Sequence, residues 1–243
     1  MGVLDNLKTS DDIATEKDSV GGGFLVDSGV YPVTIEVAYI TKSSGGATCL
    51  NIHLKTKSAL LKQAIYVTSG DAKGGHTYYV DKEGNKQGLP GFNQATAISL
   101  LTVGKQLAEL NDPEEKVINI YDYDAKKELP TKVAMLSDLI GQEFNAGILR
   151  KVVDKNIKND AGEWVAGGDT REENELDKVF RARDNLTVAE IIAGETVGAF
   201  RETWEAKNTG VTKMAAKGVQ GTSGVPMGTP TPGAPAESSG LFK

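Results

Sequence analysis

Alternating apolar and polar residues between positions 30 and 80 constrain the fold of this chain more than any other feature. The alternation runs through residues 33–39 and recurs over residues 50–55 and 60–68. A period of two is typical of strands that bury one face. Turn-forming residues at 41–46 separate the first two segments, so we predict a meander of three or four strands. One face of the first strand is predicted to carry Val33, Ile35, Val37 and Tyr39.

The predicted meander is basic, although the chain as a whole is acidic. The formal net charge of the 243 residues is -6, which argues against a generic nucleic-acid-binding protein, but residues 37–90 have a net charge of +4. A second basic cluster consists of Arg150, Lys151, Lys155 and Lys158. Local potential, rather than net charge, decides where a polyanion binds. Both segments are therefore candidate contacts for nucleic acid, although such lysines are also common as solvated residues that protect sheet edges.

Tyrosines accompany these lysines, and the combination is typical of surfaces that bind single-stranded nucleic acid. Lysines contact phosphates, whereas aromatic rings stack on bases of any sequence. Lys62 and Lys73 are predicted to contact phosphate. Tyr39 lies on the apolar phase of its strand and is predicted to be buried. The predicted nucleic-acid contacts are Lys42, Lys55, Lys62, Tyr66, Lys73, Tyr78, Tyr79, Arg150 and Lys151.

Helices and further strands follow the meander. Helices are predicted over residues 92–110, 133–140, 187–194 and 195–204, and strands over residues 116–123, 142–153 and 176–183. The polar residues 69–90 are predicted to form a long loop, a feature that is usually functional or disordered in a compact domain. Strands enclosing one long helix favour a mainly β protein with helices, built as a five-stranded OB-fold barrel with an inserted helix and long loops. A β-sandwich and an α+β fold with a meander sheet remain open.

Three regions are predicted along the chain. Residues 1–20 are polar and precede three consecutive glycines, so they are predicted to form a flexible arm. Residues 21–208 are predicted to form the OB-fold domain that binds single-stranded DNA. Residues 209–243 consist mainly of Gly, Thr, Ser, Ala and Pro. Such a segment cannot bury enough apolar surface to offset its ordering entropy, so we predict a disordered tail that is dispensable for folding.

The last residues of this tail are predicted to bind a partner. Leu241 and Phe242 would anchor in an apolar groove, and Lys243 would pair with an acidic group of the partner. Because a disordered segment loses entropy when it binds, the affinity is expected to be modest. The alternative is an inert tail that keeps the protein in solution.

An acidic stretch at residues 160–177 follows the second basic cluster. Its only basic residue is Arg171, and it is predicted to be a linker. One hypothesis is that it covers the DNA-binding groove when DNA is absent, and the other is that it is a solvated surface loop.

Several other classes of protein find no support in the sequence. Residues 1–19 lack the apolar segment of a secretory signal, and no apolar run approaches the ~18 residues of a membrane helix. Cys49 is the only cysteine, which fits the cytoplasm of a cell and leaves too few ligands for a zinc finger. Residues 70–77 are glycine-rich but lack the Gly-Lys-Ser/Thr ending of a phosphate loop. Asp122 and Asp124, joined by Glu143, would be metal ligands of a nuclease, but a solvated strand end is the favoured interpretation. We therefore predict no enzyme activity, metal or cofactor.

Several short blocks stand in a distinctive order between residues 22 and 92. They are Gly22-Gly23-Phe24-Leu25-Val26, Gly29-Val30-Tyr31, Lys42-Ser43-Ser44-Gly45-Gly46, Tyr66-Val67-Thr68-Ser69-Gly70-Asp71-Ala72-Lys73-Gly74, Thr77-Tyr78-Tyr79 and Gly88-Leu89-Pro90-Gly91-Phe92. Their order resembles that of the single-stranded DNA-binding proteins of tailed bacteriophages, in particular of phages that also carry a virion RNA polymerase. The resemblance covers roughly residues 20–205 and is densest over 22–110, with 66–73 and 77–79 the most specific parts.

The resemblance implies an OB-fold core, cooperative coverage of single strands, and roles in phage DNA replication and recombination and in transcription regulation. It also implies location in the cytoplasm of a bacterial host. The implied partners of the tail are replication, recombination or transcription proteins of phage or host, including RNA polymerase. Many such DNA-binding proteins end in a strongly acidic tail, whereas residues 205–243 here have a net charge of +2. The alternative function is a phage structural or assembly protein that does not bind nucleic acid.

Overall fold

The computed structural model describes residues 25–110, 113–122, 125–159 and 164–217 of the chain. The predicted arm, residues 1–20, and the predicted partner-binding residues Leu241, Phe242 and Lys243 lie outside this part of the chain. Within the described residues the protein is mainly β, with a few helices. None of the helices in those ranges combines the length and the apolar character needed to cross a lipid bilayer.

The described residues form ten strands and three α-helices. The strands are β1 (Gly29–Lys42), β2 (Thr48–Lys55), β3 (Leu60–Tyr66), β4 (Tyr78–Val80), β5 (Lys86–Gly88), β6 (Glu114–Asp122), β7 (Lys127–Met135), β8 (Glu143–Lys158), β9 (Trp164–Arg181) and β10 (Thr212–Met214). The helices are α1 (Pro90–Thr102), α2 (Val188–Ile192) and α3 (Ala199–Asn208). Short 3₁₀ turns occupy Asp71–Lys73, Leu107–Glu109 and Ser137–Leu139.

Eight of the strands form one sheet, and β1 lies at its centre. Along one edge β1 pairs with β2, and β2 pairs in turn with β3. Along the other edge the first half of β1 pairs with β8, whereas its second half pairs with β7 of the β6–β7 hairpin. β8 pairs with β9 on its far side. No backbone ladder joins β3 to β9 in the described residues, so the sheet is open and differs from the closed barrel that the sequence predicts.

A glutamine side chain connects β3 and β9, which do not pair with each other. Nε2 of Gln63, on β3, donates a hydrogen bond to the carbonyl oxygen of Asn174 on β9 at 3.0 Å. The backbone N–H of Leu176 donates to Oε1 of the same side chain, also at 3.0 Å. β3 and β9 therefore approach each other through one side chain in place of a continuous ladder.

A β-bulge in β1 divides its side chains between two hydrophobic clusters. The register with β2 shifts between Ile35 and Val37. Because an extra residue reverses the faces beyond it, Ala38 joins Ile35 in the main core, while Val37 and Tyr39 pack on the other side of the sheet. The predicted common face of Val33, Ile35, Val37 and Tyr39 is therefore wrong beyond the bulge, although Tyr39 is buried as predicted.

The main core lies between the inner face of the sheet and α1. Ala95, Ile98 and Leu101 are spaced by three along α1 and are buried against strands β1, β2, β3, β8 and β9. A Cβ atom at Gly91 would lie 2.1 Å from the carbonyl oxygen of Tyr66, so only glycine permits this close approach of α1 to the end of β3. The helix ends at Thr102, earlier than the predicted residue 110. Gly104, two residues beyond this end, takes a φ of +74°.

Two predictions about secondary structure are wrong because strand pairing overrides local pattern. The predicted helix 133–140 is the end of β7 followed by a 3₁₀ turn, since residues 127–135 pair along the whole of β6. The predicted acidic linker 160–177 is largely β9, which pairs with β8 along most of its length. The predicted long loop 69–90 contains a two-stranded ribbon, β4–β5.

Two short helices complete the domain. The predicted capping box of α2 is present, since Thr187 Oγ1 accepts from the N–H of Glu190 and Glu190 Oε2 accepts from the N–H of Thr187. Trp204 of α3 is buried against Phe180 and Leu149. Residues 212–214 form β10, which pairs in parallel with β8, so ordered structure continues beyond the boundary predicted at residue 209.

We predict that Gln63→Met lowers the free energy of unfolding by about 1–3 kcal/mol, because the side chain keeps its volume while the partly buried Leu176 N–H and Asn174 carbonyl lose their partner. Urea denaturation monitored by tryptophan fluorescence measures the change. Gln87→Met is the matched control, because that exposed amide donates only to the exposed Asp81 side chain. Equal stability of both variants would show that the bridge contributes nothing.

Candidate nucleic-acid interface

A groove of about 740 Å³ opens where β3, the β4–β5 ribbon and the start of α1 meet. It contains four of the predicted contact residues and is otherwise largely apolar. Its lining residues are Gly45, Tyr66, Thr68, Ser69, Gly70, Ala72, Lys73, His76, Tyr78, Tyr79, Val80, Leu89, Pro90 and Gly91. We call it the tyrosine groove. The structure thus brings together Tyr66, Lys73, Tyr78 and Tyr79. All four residues belong to the two most specific sequence blocks, 66–73 and 77–79.

Backbone contacts hold the two loops that form one wall of the tyrosine groove. The N–H of Asp71 donates to the carbonyl oxygen of Gly45 at 2.8 Å. A Cβ atom at Gly70 would lie 2.7 Å from that same oxygen, so the loops approach each other at a glycine. The β1–β2 turn and the loop after β3 are therefore fixed relative to each other, which holds Lys73 at the rim of the groove.

The opposite wall is the β4–β5 ribbon. The N–H of Leu89 donates to the carbonyl oxygen of Thr77 at 2.8 Å, which closes the ribbon against the start of α1. At the other end, Asp81 Oδ1 accepts from the N–H groups of Glu83 and Asn85. These contacts define a tight hairpin and present its aromatic residues to the groove.

The aromatic rings of the groove differ in how they are held. The Tyr78 ring stacks on His76, with centroids 4.9 Å apart and planes 27° from parallel. Lys86 Nζ lies 4.5 Å from the centroid of the Tyr78 ring, a cation–π geometry. Tyr66 and Tyr79 remain 54% and 50% exposed. Tyr78 is thus a supported ring, whereas Tyr66 and Tyr79 present free aromatic surface.

A second groove, of about 860 Å³, shares Tyr66, Tyr79, Pro90 and Gly91 with the tyrosine groove. It runs between α1, β9 and the start of α2 and is richer in polar side chains. The Asp177 carboxylate in its lining accepts from Trp204 Nε1 at 2.7 Å. The two grooves make one continuous depression, with the two exposed tyrosines where they join.

The outer face of β2 and β3 carries further predicted contacts. Lys62 lies directly opposite His53 in the register, and alternation places Lys62 on the same face as Tyr66. His53 is half-buried and meets the Tyr39 ring edge-on at 6.3 Å. Lys55 Nζ pairs with Glu36 at 2.7 Å, so its charge is partly compensated. Lys42 is exposed at the end of β1, beside the turn that leads to the groove.

The other two predicted contacts, Arg150 and Lys151, lie on β8 and form ion pairs with acidic residues. Arg150 pairs with Asp27 at 2.8 Å and with Glu172, and Lys151 pairs with Glu175. The hydrogen bonds that Arg150 donates to the Glu172 carboxylate, and then to that of Asp27, raise the pKa of Arg150 above its ordinary value. The acidic segment therefore lies beside the second basic cluster within the sheet, rather than over the tyrosine groove.

Sequence reasoning missed His76 and Val80 as groove residues, and Lys86 as the cation that lies over the Tyr78 ring. Val80 is 58% exposed at the groove and adds apolar surface. Lys86 entered the sequence analysis only as part of the net charge of residues 37–90. The turn signal Asp81-Lys82-Glu83-Gly84-Asn85 between Tyr79 and Gln87 would have predicted the hairpin that places Lys86 beside Tyr78.

Nothing in the described residues forms a metal site. No group of three or more His, Cys, Asp or Glu side chains within them is arranged to hold a metal ion. Asp124 and the side chain of Asp122, the residues considered for a nuclease, lie outside the described part of the structure, and the Glu143 carboxylate contacts Thr34. The chemistry of the described groove is that of stacking and charge.

A comparison with known protein families finds no family that this chain matches, and a search of curated proteins finds no matching relative. The resemblance to phage single-stranded DNA-binding proteins therefore stays a prediction. The function is inferred from the residues and geometry of the groove.

We predict a pH dependence of stability from His53. Burial, reinforced by Lys62, lowers the pKa of His53 below 6.5, so the unfolded chain binds this proton more readily than the folded protein. Stability should therefore fall as the pH is lowered through about 6.5 and on to the folded pKa. Thermal unfolding between pH 7.5 and 5.5 measures the effect, and His53→Gln should flatten it.

His76→Gln serves as the matched control for this prediction, because His76 is exposed in the groove. The carboxylates with lowered pKa, among them Asp81 and Asp184, lose their contribution only at more acidic pH, so the measured window isolates histidine. A slope that persists in His53→Gln would assign the dependence to another group.

Proposed function

We propose that this protein binds single-stranded DNA without sequence preference and coats it during phage DNA replication and recombination. One observation carries the proposal: Tyr66, Tyr78, Tyr79 and Lys73 line one open groove, and two of the rings are about half exposed. Exposed aromatic rings beside cations are what unpaired bases and their phosphates require.

The groove favours single strands over duplex. Bases stacked within a duplex present only their edges, whereas a single strand can place the faces of its bases on Tyr66 and Tyr79. Lys73 at the groove, with Lys62 on the adjoining outer face, supplies charge for the phosphates. Stacking depends on the π-face that every base has, so the expected binding is tolerant of sequence.

The arrangement of strands supports an OB-type domain as the finer description of the fold. Adjacent strands follow the order β3–β2–β1–β8–β9, and α1 lies in the chain between β3 and β8. Five strands in a partly open barrel bind oligonucleotides on the face of the middle strands and in the flanking loops. The tyrosine groove lies at the end of β3 and the β1–β2 turn, which is such a position, and the Gln63 bridge supports near-closure between β3 and β9.

Fluorescence titration of the full chain with poly(dT) and with duplex DNA, at two salt concentrations, tests the proposal. We expect saturable binding to poly(dT), weaker binding to duplex, and a steep loss of affinity with salt because displaced counterions contribute to binding. A phage structural or assembly protein would show no saturable binding, and loss of oligonucleotide length with added metal would indicate a nuclease. Either result would overturn the proposal.

We predict that Tyr66→Ala lowers affinity for poly(dT) by about 1–3 kcal/mol, because one stacked ring is lost. Tyr66→Phe should bind like the unchanged protein, since the ring face remains. Tyr121→Ala is the matched control, because Tyr121 is 49% exposed but lies on β6 outside the groove. Unchanged affinity of a folded Tyr66→Ala would exclude this ring from the binding surface.

We predict that the double variant Glu172→Gln, Glu175→Gln binds poly(dT) more tightly, because it frees Lys151 from Glu175 and removes one of the two carboxylates that pair with Arg150. The gain should be largest at low salt, where screening is weak. Titrations at two ionic strengths measure it.

The matched control is Glu114→Gln, Glu115→Gln. It makes the same change in net charge and frees Lys116 and Lys132 on the β6–β7 hairpin. An equal gain in both double variants would reflect net charge alone and would leave Arg150 and Lys151 without a specific role.

A further inference from the structure

Large exposed apolar residues cluster at the end of α2 and the start of α3. Ile192 and Val197 are 81% and 73% exposed, and Ile191 and Phe200 are 36% and 40% exposed. All four fall within ten residues of chain. Single exposed apolar residues need no explanation, but a cluster of large ones marks a contact surface. We call this cluster the α2–α3 patch.

The patch is held in shape before anything binds it. Glu190, the capping residue of α2, also accepts a hydrogen bond from the N–H of Phe200 through Oε1 at 2.8 Å. The Phe200 ring packs on the buried Phe180 ring, with centroids 6.4 Å apart. One carboxylate thus joins the starts of both helices, so an occupant of the patch would not have to order them.

Two exposed acidic residues lie close to the patch residues along the chain. These are Glu195 and Glu202, and neither takes part in an ion pair among the described residues. The basic residue Arg201 is already paired with Glu205 at 3.2 Å. The patch therefore favours an occupant that combines apolar side chains with a positive charge.

We propose that the segment Leu241-Phe242-Lys243 of the same chain docks on the α2–α3 patch. Leu241 and Phe242 supply the apolar groups, and Lys243 supplies a charge opposite to that of Glu195 and Glu202. The structure describes the chain up to Lys217, whose N–H donates to Asp154 at 2.9 Å on β8. Residues 218–240 connect this point to the docking segment and carry one ionisable side chain, Glu237.

The connection is long enough for the segment to reach the patch. A chain of the length from 217 to 241 reaches at most about 80 Å when fully extended. Asn185, whose carbonyl oxygen lies against Gly198 at the start of α3, accepts a hydrogen bond from Asn145 on β8. Lys217 contacts Asp154, further along the same strand, so the span to be bridged is about 30 Å. Because the segment belongs to the same chain, its effective concentration at the patch is on the order of millimolar, so even a weak contact is populated.

Charge distinguishes the α2–α3 patch from the tyrosine groove, which also exposes apolar surface. Lys73 lines that groove, and Lys86 lies against its Tyr78 ring. Lys243 would meet like charges there, which disfavours docking of this segment. The same cations favour a nucleic acid in the groove, so docking on the patch leaves the proposed DNA site open.

A spin label on the full chain tests the docking. Cys49 is buried, with 3% exposure, so a label directed to Ser239→Cys attaches selectively. We expect the methyl signals of Ile191, Ile192 and Val197 to lose most of their intensity, while those of Val80 and Val117 keep theirs. Phe242→Ala in the labelled chain should restore the patch signals, and Glu195→Gln with Glu202→Gln should restore them partly at low salt.

Intact patch signals in the labelled protein would overturn the proposal, and so would loss of intensity at Val80 in place of the patch. Broadening that grows with protein concentration would place the segment on a second molecule and would overturn docking within one chain. The measurement is made without DNA, so its outcome is independent of whether the tyrosine groove binds single strands.

Discussion

Most of this structure depends on the pairing of β1 with three partners. Its first half pairs with β8, its second half pairs with β7, and β2 follows most of its other edge. The bulge between Ile35 and Val37 makes this possible, because it directs Ala38 into the main core and Tyr39 towards Val133 and Met135. One strand therefore contributes to two cores on opposite faces of the sheet, and the β6–β7 hairpin is attached to the domain by the second of them.

The tyrosine groove is a consequence of how tightly α1 approaches the end of β3. Gly91 lies against the carbonyl oxygen of Tyr66, where no side chain fits, and this contact holds the start of α1 beside an exposed ring. The β4–β5 ribbon enters α1 directly, so its tyrosines are delivered to the same place. Burial of Ile98 and Leu101 in the core thus stabilises the geometry of a surface that itself remains open.

Ion pairs within the sheet compensate some of the basic side chains and leave others exposed. The acidic β9 compensates Arg150 and Lys151 on β8, whereas Lys73 lines the tyrosine groove and Lys62 lies on the exposed face of β3. Ion pairs at the surface contribute little net stability, so a phosphate backbone could replace the partners of Arg150 at small cost. Positive charge at the tyrosine groove favours an anionic ligand, whereas Glu195 and Glu202 near the α2–α3 patch favour a positively charged one.

Local pattern in the sequence determined the meander, the basic character of residues 37–90, the capping box at Thr187 and the tyrosines that line the groove. These features depend on neighbours along the chain, through side-chain alternation, turn residues and short-range hydrogen bonds. The tertiary structure alone decided that residues 133–135 extend β7 and that the acidic residues of 164–177 form a strand beside Arg150. Each of these depends on backbone pairing with a partner strand, β6 for β7 and β8 for β9. The free energy of that pairing exceeds the local preference of the residues. The open edge between β3 and β9 was decided in the same way. Gln63 bridges two strands more than a hundred residues apart in the chain, and the sequence of neither strand predicts this contact.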